Sequence, residues 1–85
     1  MQYLSEKDMA RLYPARHRFA RLLRRAFPGP SDMAVAEKAG PVLGATPRTV
    51  QNWLQCRNDA KVSHVLAVLA IVGADAVFDV IGGKP

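Results

Sequence analysis

The twelve residues LGATPRTVQNWL, at positions 43–54, join a tight turn to a short amphipathic helix. Gly44 can adopt the left-handed conformation that commonly ends a helix. Thr46 and Pro47 are residue types preferred at an N-cap and at the first helical position. The pattern therefore predicts a turn at Gly44 and a new helix from Thr46 to about Cys56.

The two sides of this predicted helix differ in chemistry. Val50, Trp53 and Leu54 share an apolar face, which favours core packing for Trp53 over stacking on a base. The other side contains no glutamate and no lysine, and its residues are Arg48, Thr49, Gln51, Asn52 and Gln55. Arginine can pair with guanine, asparagine and glutamine with adenine, and threonine can contact the thymine methyl group. An ordinary solvated helix face would show the same polar–apolar split.

Helical patterns continue along the rest of the chain, and no segment has the alternation typical of a strand. Ser5 and Asp8 have the spacing of a capping box, which predicts a short helix over 6–12. Further helices are expected over 14–27, from Ser31 to Gly44, over 61–72 and over 74–81, with a break at Gly73. In the helix that follows Ser31, the expected inner edge consists of Met33, Ala36, Gly40 and Leu43. Pro41 is expected to kink or end this helix.

These elements predict one all-α domain, a compact bundle of five to six helices. The chain has 85 residues, a length that gives a modest core. Residues 1–13 form an N-terminal extension with a short helix, and residues 14–83 form the main domain.

Positive charge is concentrated in one segment of the chain. The formal net charge is +5. Six of the basic residues lie in a stretch without acids, namely Arg11, Arg16, Arg18, Arg21, Arg24 and Arg25. Such clustering indicates a polyanionic partner, either nucleic acid or an anionic surface, while a basic face that only promotes solubility fits equally well.

Residues 31–83 resemble a helix-turn-helix domain of the phage-repressor type, the Cro/cI-like or XRE-like class with a lambda-repressor-like fold. The resemblance rests on MAVAEKAG, LGAT, PRTVQNWL, CRNDAK and VSHVLAVLAIVG. Gly44 stands six residues before the aliphatic Val50, as in that class, and Gly40 is the small residue four positions earlier. Gly40 is an alternative turn glycine, which would make residues 41–44 an insertion. The motif covers about residues 31–56.

The resemblance implies that helix 46–56 enters the major groove of double-stranded DNA. Arg48 and Asn52 are the first candidates for base contact, followed by Thr49, Gln51 and Gln55, although some of these could contact only phosphate or water. Expected phosphate contacts are Ser31, Thr46, Arg57, Asn58, Lys61, Arg18 and Arg21.

The implied function is that of a repressor-like, sequence-specific transcriptional regulator from a phage or mobile element, located in the bacterial cytoplasm or nucleoid. No small-molecule ligand is expected. The alternative is a protein-interaction module on the same fold, antiactivator-like or antitoxin-like, that acts through its apolar C-terminal helices. The surplus of apolar residues there predicts a homodimer interface at Val77, Phe78 and Ile81.

No arrangement of residues indicates catalysis, a cofactor or a metal. His17 and His64 lack a cysteine or carboxylate at ligand spacing. The lone Cys56 excludes an internal disulfide, and it is expected to be a passive side chain, with redox sensing as the alternative. The apolar run at 65–74 is too short to span a membrane.

Overall fold

The computed structural model describes the backbone of residues 5–82 and the side chains of residues 5–73. Within this part of the chain all regular secondary structure is helical, which confirms the all-α prediction. The helices are α1 (Glu6–Leu12), α2 (Pro14–Ala26), α3 (Asp32–Leu43), α4 (Pro47–Leu54) and α5 (Val62–Gly82). The radius of gyration is 12.2 Å, close to the roughly 12 Å of a compact chain of this length.

Hydroxyl side chains cap the starts of three helices. Ser5 Oγ accepts from the amide of Asp8 at 3.1 Å, and Ser31 Oγ accepts from the amide of Ala34 at 3.1 Å. Thr46 caps α4 in the same way. Each cap satisfies a backbone donor that has no partner inside its helix, so the starts predicted from these residues are confirmed.

The turn between α3 and α4 is centred on Gly44, which has a φ of 68°. The amide of Ala45 donates to the carbonyl of Gly40 at 2.9 Å, which closes the end of α3. A Cβ atom on Gly40 would lie 2.7 Å from the carbonyl oxygen of Ala45. Gly44 therefore makes the turn, and Gly40 permits the chain to pass close to α3. Pro41 was expected to kink or end the helix, and it does not end it, because α3 continues to Leu43.

The helix α4 ends at Leu54, two residues before the predicted end at Cys56. Cys56 has a φ of 59°, and it is the non-glycine residue with positive φ in the described part of the chain. The amide of Arg57 donates to the carbonyl of Asn52 at 2.9 Å. This left-handed residue and its closing bond form the same kind of helix end that Gly44 provides for α3.

The core is formed where α2, α3, α4 and α5 meet. Leu23, Val50 and Val68 are fully buried at its centre. Trp53 is also buried, with its ring edge-on to Phe19 at a centroid distance of 5.6 Å. Burial of these side chains provides the main stabilisation of the fold, and it confirms the core prediction for Trp53.

The helix α5 begins at Val62 and changes direction at Gly73, which has a φ of 82° and a ψ of 170°. The predicted break at Gly73 is therefore confirmed as a kink within one long element. The outer side of the first half is apolar yet open to solvent, since Val62 is 72% exposed and Leu66 is 59% exposed. No helix in the described residues is long and apolar enough to cross a membrane.

Candidate nucleic-acid interface

The solvent-facing side of α4 brings together four of the predicted base-contact residues. Arg48 is exposed, and the other three are partly exposed. We call this set the α4 surface, and its members are Arg48, Thr49, Gln51 and Asn52. The buried positions Val50, Trp53 and Leu54 fix the opposite side of the helix. The set contains a cation, hydroxyl and amide groups, and no acid.

Two threonine hydroxyls organise the start of α4. Thr46 Oγ1 accepts from the amide of Thr49 at 3.2 Å and donates to Thr49 Oγ1 at 2.9 Å. Thr46 is thereby committed to capping, whereas Thr49 keeps its own hydroxyl proton for an outside acceptor. The Thr46 hydroxyl proton is already donated to Thr49 Oγ1, so Thr46 could donate to a phosphate from this hydroxyl only by giving up that hydrogen bond.

The amide of Gln51 reaches the neighbouring helix α3. Its Nε2 atom donates to Met33 Sδ at 3.1 Å. Met33 is 52% exposed, so its predicted position on the inner edge of α3 is wrong. Val35, Ala36 and Ala39 form the buried side of α3. Met33 lies at the exposed edge of that side, where its sulfur contacts Gln51 of α4.

Gln55 follows α4 as its C-cap residue and borders an open cleft of about 520 Å³. The cleft lies between α1, α2 and the end of α4, and its lining includes Arg21. Two residues predicted to contact DNA, Gln55 and Arg21, therefore share this cleft. Gln55 is the base-contact candidate beyond the last helical residue, Leu54.

Arg24 connects three helices. Its Nη2 atom donates to Asp32 Oδ1 at 3.1 Å, at the start of α3, and to the carbonyl of Leu54 at 3.3 Å, at the end of α4. The positive charge lies beside the negative end of the α4 dipole, where cations are stabilising. From the sequence, Arg24 was identified only as a member of the basic cluster, and the sequence contains no local signal for either of its partners.

Arg16 holds the loop that follows α4. Its guanidinium donates to both carboxylate oxygens of Asp59, at 2.8 and 3.4 Å, and to the carbonyls of Cys56 and Arg57. It also lies over the Tyr13 ring at 4.9 Å from the centroid. The hydrogen bonds from Arg16 hold the pKa of Asp59 below its usual range. Sequence reasoning missed this contact because the partners are 43 positions apart.

The remaining predicted phosphate-contact residues are accessible to solvent. They are Ser31, Arg57, Asn58, Lys61 and Arg18. Arg57 and Asn58 belong to the loop that Arg16 braces, and Lys61 directly precedes α5. This loop presents positive charge immediately after α4, as expected for a segment beside a nucleic-acid backbone.

The two histidines and the cysteine lie in different environments. His64 packs against Trp53 at a centroid distance of 4.9 Å, and His17 faces Glu6 at 3.5 Å. Burial raises the pKa of the Cys56 thiol, which disfavours the reactive thiolate. Among the described residues, no group of three or more histidine, cysteine or acidic side chains is placed to hold a metal ion.

The predicted dimer residues Val77, Phe78 and Ile81 lie outside the residues whose side chains the structure describes.

Searches against protein-family models, curated proteins and solved structures find no match for this chain. The functional conclusion therefore rests on the geometry and chemistry of the chain itself.

Proposed function

We propose that this protein is a sequence-specific, double-stranded DNA-binding transcriptional regulator, repressor-like, that inserts α4 into the major groove. The observation that carries the proposal is the composition of the α4 surface. Its arginine, threonine, glutamine and asparagine are the residue types that recognise base edges, and the buried Val50, Trp53 and Leu54 hold them on a fixed helix.

The size and connection of α3 and α4 support this mode of binding. An α-helix with its side chains is about 10–12 Å in diameter, and the major groove is about 12 Å wide, so α4 could lie within it. The turn at Gly44 and the capping by Thr46 resemble the link between the two helices of a helix-turn-helix motif. The N-terminal half of α4, with Arg48, would then lie nearest the bases. Asn52 lies one turn further along on the same side of the helix.

Electrostatics supply the non-specific part of the proposed binding. The chain has a formal net charge of +5, and Arg57, Asn58 and Lys61 lie in the loop immediately after α4. Contacts from these residues to phosphate would fix the register of α4 without reading sequence. Arg18, Arg21 and Ser31 are further candidates for such contacts.

A homodimer would complete the proposed operator recognition. Val62 and Leu66, four positions apart on the first half of α5, are exposed apolar residues on one face of the helix, and exposed apolar residues of this kind can mark a protein-contact site. Together with Val77, Phe78 and Ile81 they would form a symmetric interface. Two copies of α4 would then read half-sites about 34 Å apart.

The same apolar face favours a second candidate function. A protein-interaction module, antiactivator-like or antitoxin-like, would use α5 to bind a different protein and would have no need of the α4 surface. The two candidates differ in the residues that matter, since one depends on Arg48 and Asn52 and the other on Val62 and Leu66.

Selection of bound sequences from random DNA across a salt series tests the proposal. A specific site should be enriched and should remain bound at salt concentrations that abolish non-specific binding. Arg48→Ala and Asn52→Ala should each weaken binding to that site by about tenfold or more, as expected for the loss of a bidentate base contact. Arg11→Ala is the matched control, because it removes an equal charge from α1, where the side chain is exposed.

Failure to enrich any sequence, or equal effects of Arg48→Ala and Arg11→Ala, would overturn the groove-reading proposal. Retained folding of the variants is checked by circular dichroism.

A further inference from the structure

We propose that Met33 of α3 is a positioning residue for the α4 surface, because it orients the amide of Gln51 for recognition of adenine. The inference rests on the proposed function. It assigns a role to a residue of α3 that lies outside the set of polar residues on α4.

The geometry consists of one contact between two helices. Gln51 Nε2 donates to Met33 Sδ at 3.1 Å. The assignment of nitrogen towards sulfur follows from chemistry, since the thioether sulfur is a weak acceptor of hydrogen bonds and has no proton to donate. Gln51 remains partly exposed and Met33 is half exposed, so both side chains are reachable from outside.

The contact uses only part of the hydrogen-bonding capacity of the amide. A glutamine amide has two N–H donors and one oxygen acceptor. With one N–H given to Met33, one donor and the Oε1 acceptor of Gln51 remain. Adenine presents a complementary pair in the major groove, with N7 as acceptor and the N6 amino group as donor.

The orientation of the Gln51 amide matters because an amide that is free to rotate discriminates less well between adenine and guanine. Guanine presents two acceptors, N7 and O6, and a free amide could turn its NH₂ group towards them. The sulfur of Met33 holds the nitrogen side of Gln51 towards α3. In the proposed complex, an adenine opposite Gln51 could donate from N6 to Oε1 and accept at N7, whereas a guanine would set its O6 acceptor against that oxygen, which penalises guanine.

The substitution Met33→Leu isolates the sulfur. Leucine retains an apolar side chain of similar volume and similar helix propensity, but it cannot accept a hydrogen bond. The exposed position of Met33 limits any effect on the core. Met9→Leu in α1 is the matched control for the same chemical change elsewhere in the chain.

The experiment measures binding to the selected DNA site and to its variants at each base pair, for the wild type, Met33→Leu, Gln51→Ala and the double variant. We expect Met33→Leu to reduce the preference for adenine over guanine at one base pair by about threefold, near the lower end of what one neutral hydrogen bond contributes. Preferences at the other positions should stay within about twofold. The double variant should resemble Gln51→Ala alone, because the effect of Met33 requires the amide.

A second measurement examines the contact in the free protein. The ¹H and ¹⁵N resonances of the Gln51 side-chain amide should shift in Met33→Leu and remain in place in Met9→Leu. If those resonances do not move, or if the adenine preference is unchanged, the inference is wrong while the proposed function stands. If the wild type selects no DNA sequence at all, the proposed function fails and this inference fails with it.

Discussion

The two glycines at the α3–α4 turn should respond in opposite ways to the same pair of substitutions. Gly40 lies inside a helix, where alanine is ordinarily better than glycine by about 1 kcal/mol. A Cβ atom there would nevertheless stand 2.7 Å from the carbonyl oxygen of Ala45. That distance is well short of an ordinary contact, so the backbone of the turn must shift by several tenths of an ångström.

We expect Gly40→Ala to destabilise the protein by about 1–2 kcal/mol, since overpacking costs about 1–3 kcal/mol and helix propensity offsets part of it. For a chain of this size that corresponds to a fall in Tm of about 5–15 °C. Gly40→Asn should be worse, because its side chain is larger and its helix propensity is lower.

At Gly44 the order of the two substitutions should reverse. Nothing lies within 4 Å of a Cβ atom there, but φ is +68°. Alanine at a left-handed position costs about 1–2 kcal/mol, and asparagine tolerates that conformation better. Gly44→Asn should therefore be more stable than Gly44→Ala.

Urea and thermal unfolding followed by circular dichroism measure all four variants. The reasoning is refuted if Gly40→Ala is as stable as the wild type, or if alanine and asparagine rank in the same order at both positions. Reversal of the order separates a steric limit at Gly40 from a backbone limit at Gly44.

Three further predictions concern the core, the loop after α4 and the thiol. Trp53→Ala should lower the free energy of unfolding by about 3–5 kcal/mol because it empties a large buried site. Trp53→Phe should lower it by less, as measured by urea titration, and equal losses for the two variants would contradict the role of Trp53 in filling the core. Because Arg16 lowers the pKa of Asp59, the stability lost in Asp59→Asn should be present in full above the ordinary pKa of 3.8 and should decrease as the pH falls below that value. A loss of stability that does not change with pH would contradict the ion pair. Cys56 should react with a thiol reagent slowly in the native protein and rapidly in urea, because burial raises its pKa; equal rates would show an accessible thiolate.

Elements with a local chemical signal could be predicted from the sequence. Ser5, Ser31 and Thr46 each precede a helix and cap it through their own hydroxyl groups. Gly44 ends α3 because its left-handed conformation carries little steric cost for glycine. The buried side of α4 followed from helical spacing alone.

Features that depend on tertiary partners could not be predicted. Cys56 ends α4 in a left-handed conformation that cysteine seldom adopts, so the end of the helix was placed two residues too late. Met33 appeared to be an inner residue because helical spacing does not say which neighbours already fill the core. The contacts of Arg16 and Arg24 reach 43 and 30 positions along the chain, and neither has a sequence signature.

Those two arginines change the meaning of the basic segment. On composition alone the arginines of α2 fitted a polyanion-binding surface and a face that only promotes solubility equally well, yet Arg16 and Arg24 donate to protein acceptors at the end of α4. A helix of eight residues is marginal by itself. Here Thr46 satisfies a backbone donor at its start, and the two guanidinium groups satisfy carbonyls at and just beyond its end.

Part of the positive charge of α2 therefore acts by fixing α4 rather than by contacting a partner. The electrostatic case for nucleic-acid binding accordingly moves from α2 to the cations on and beside α4, which are Arg48, Arg57 and Lys61. If DNA is the partner, these three positions should account for most of the salt dependence of binding. Arg16 and Arg24 should matter instead through the rigidity with which the α4 surface is presented, because a base contact requires a fixed geometry.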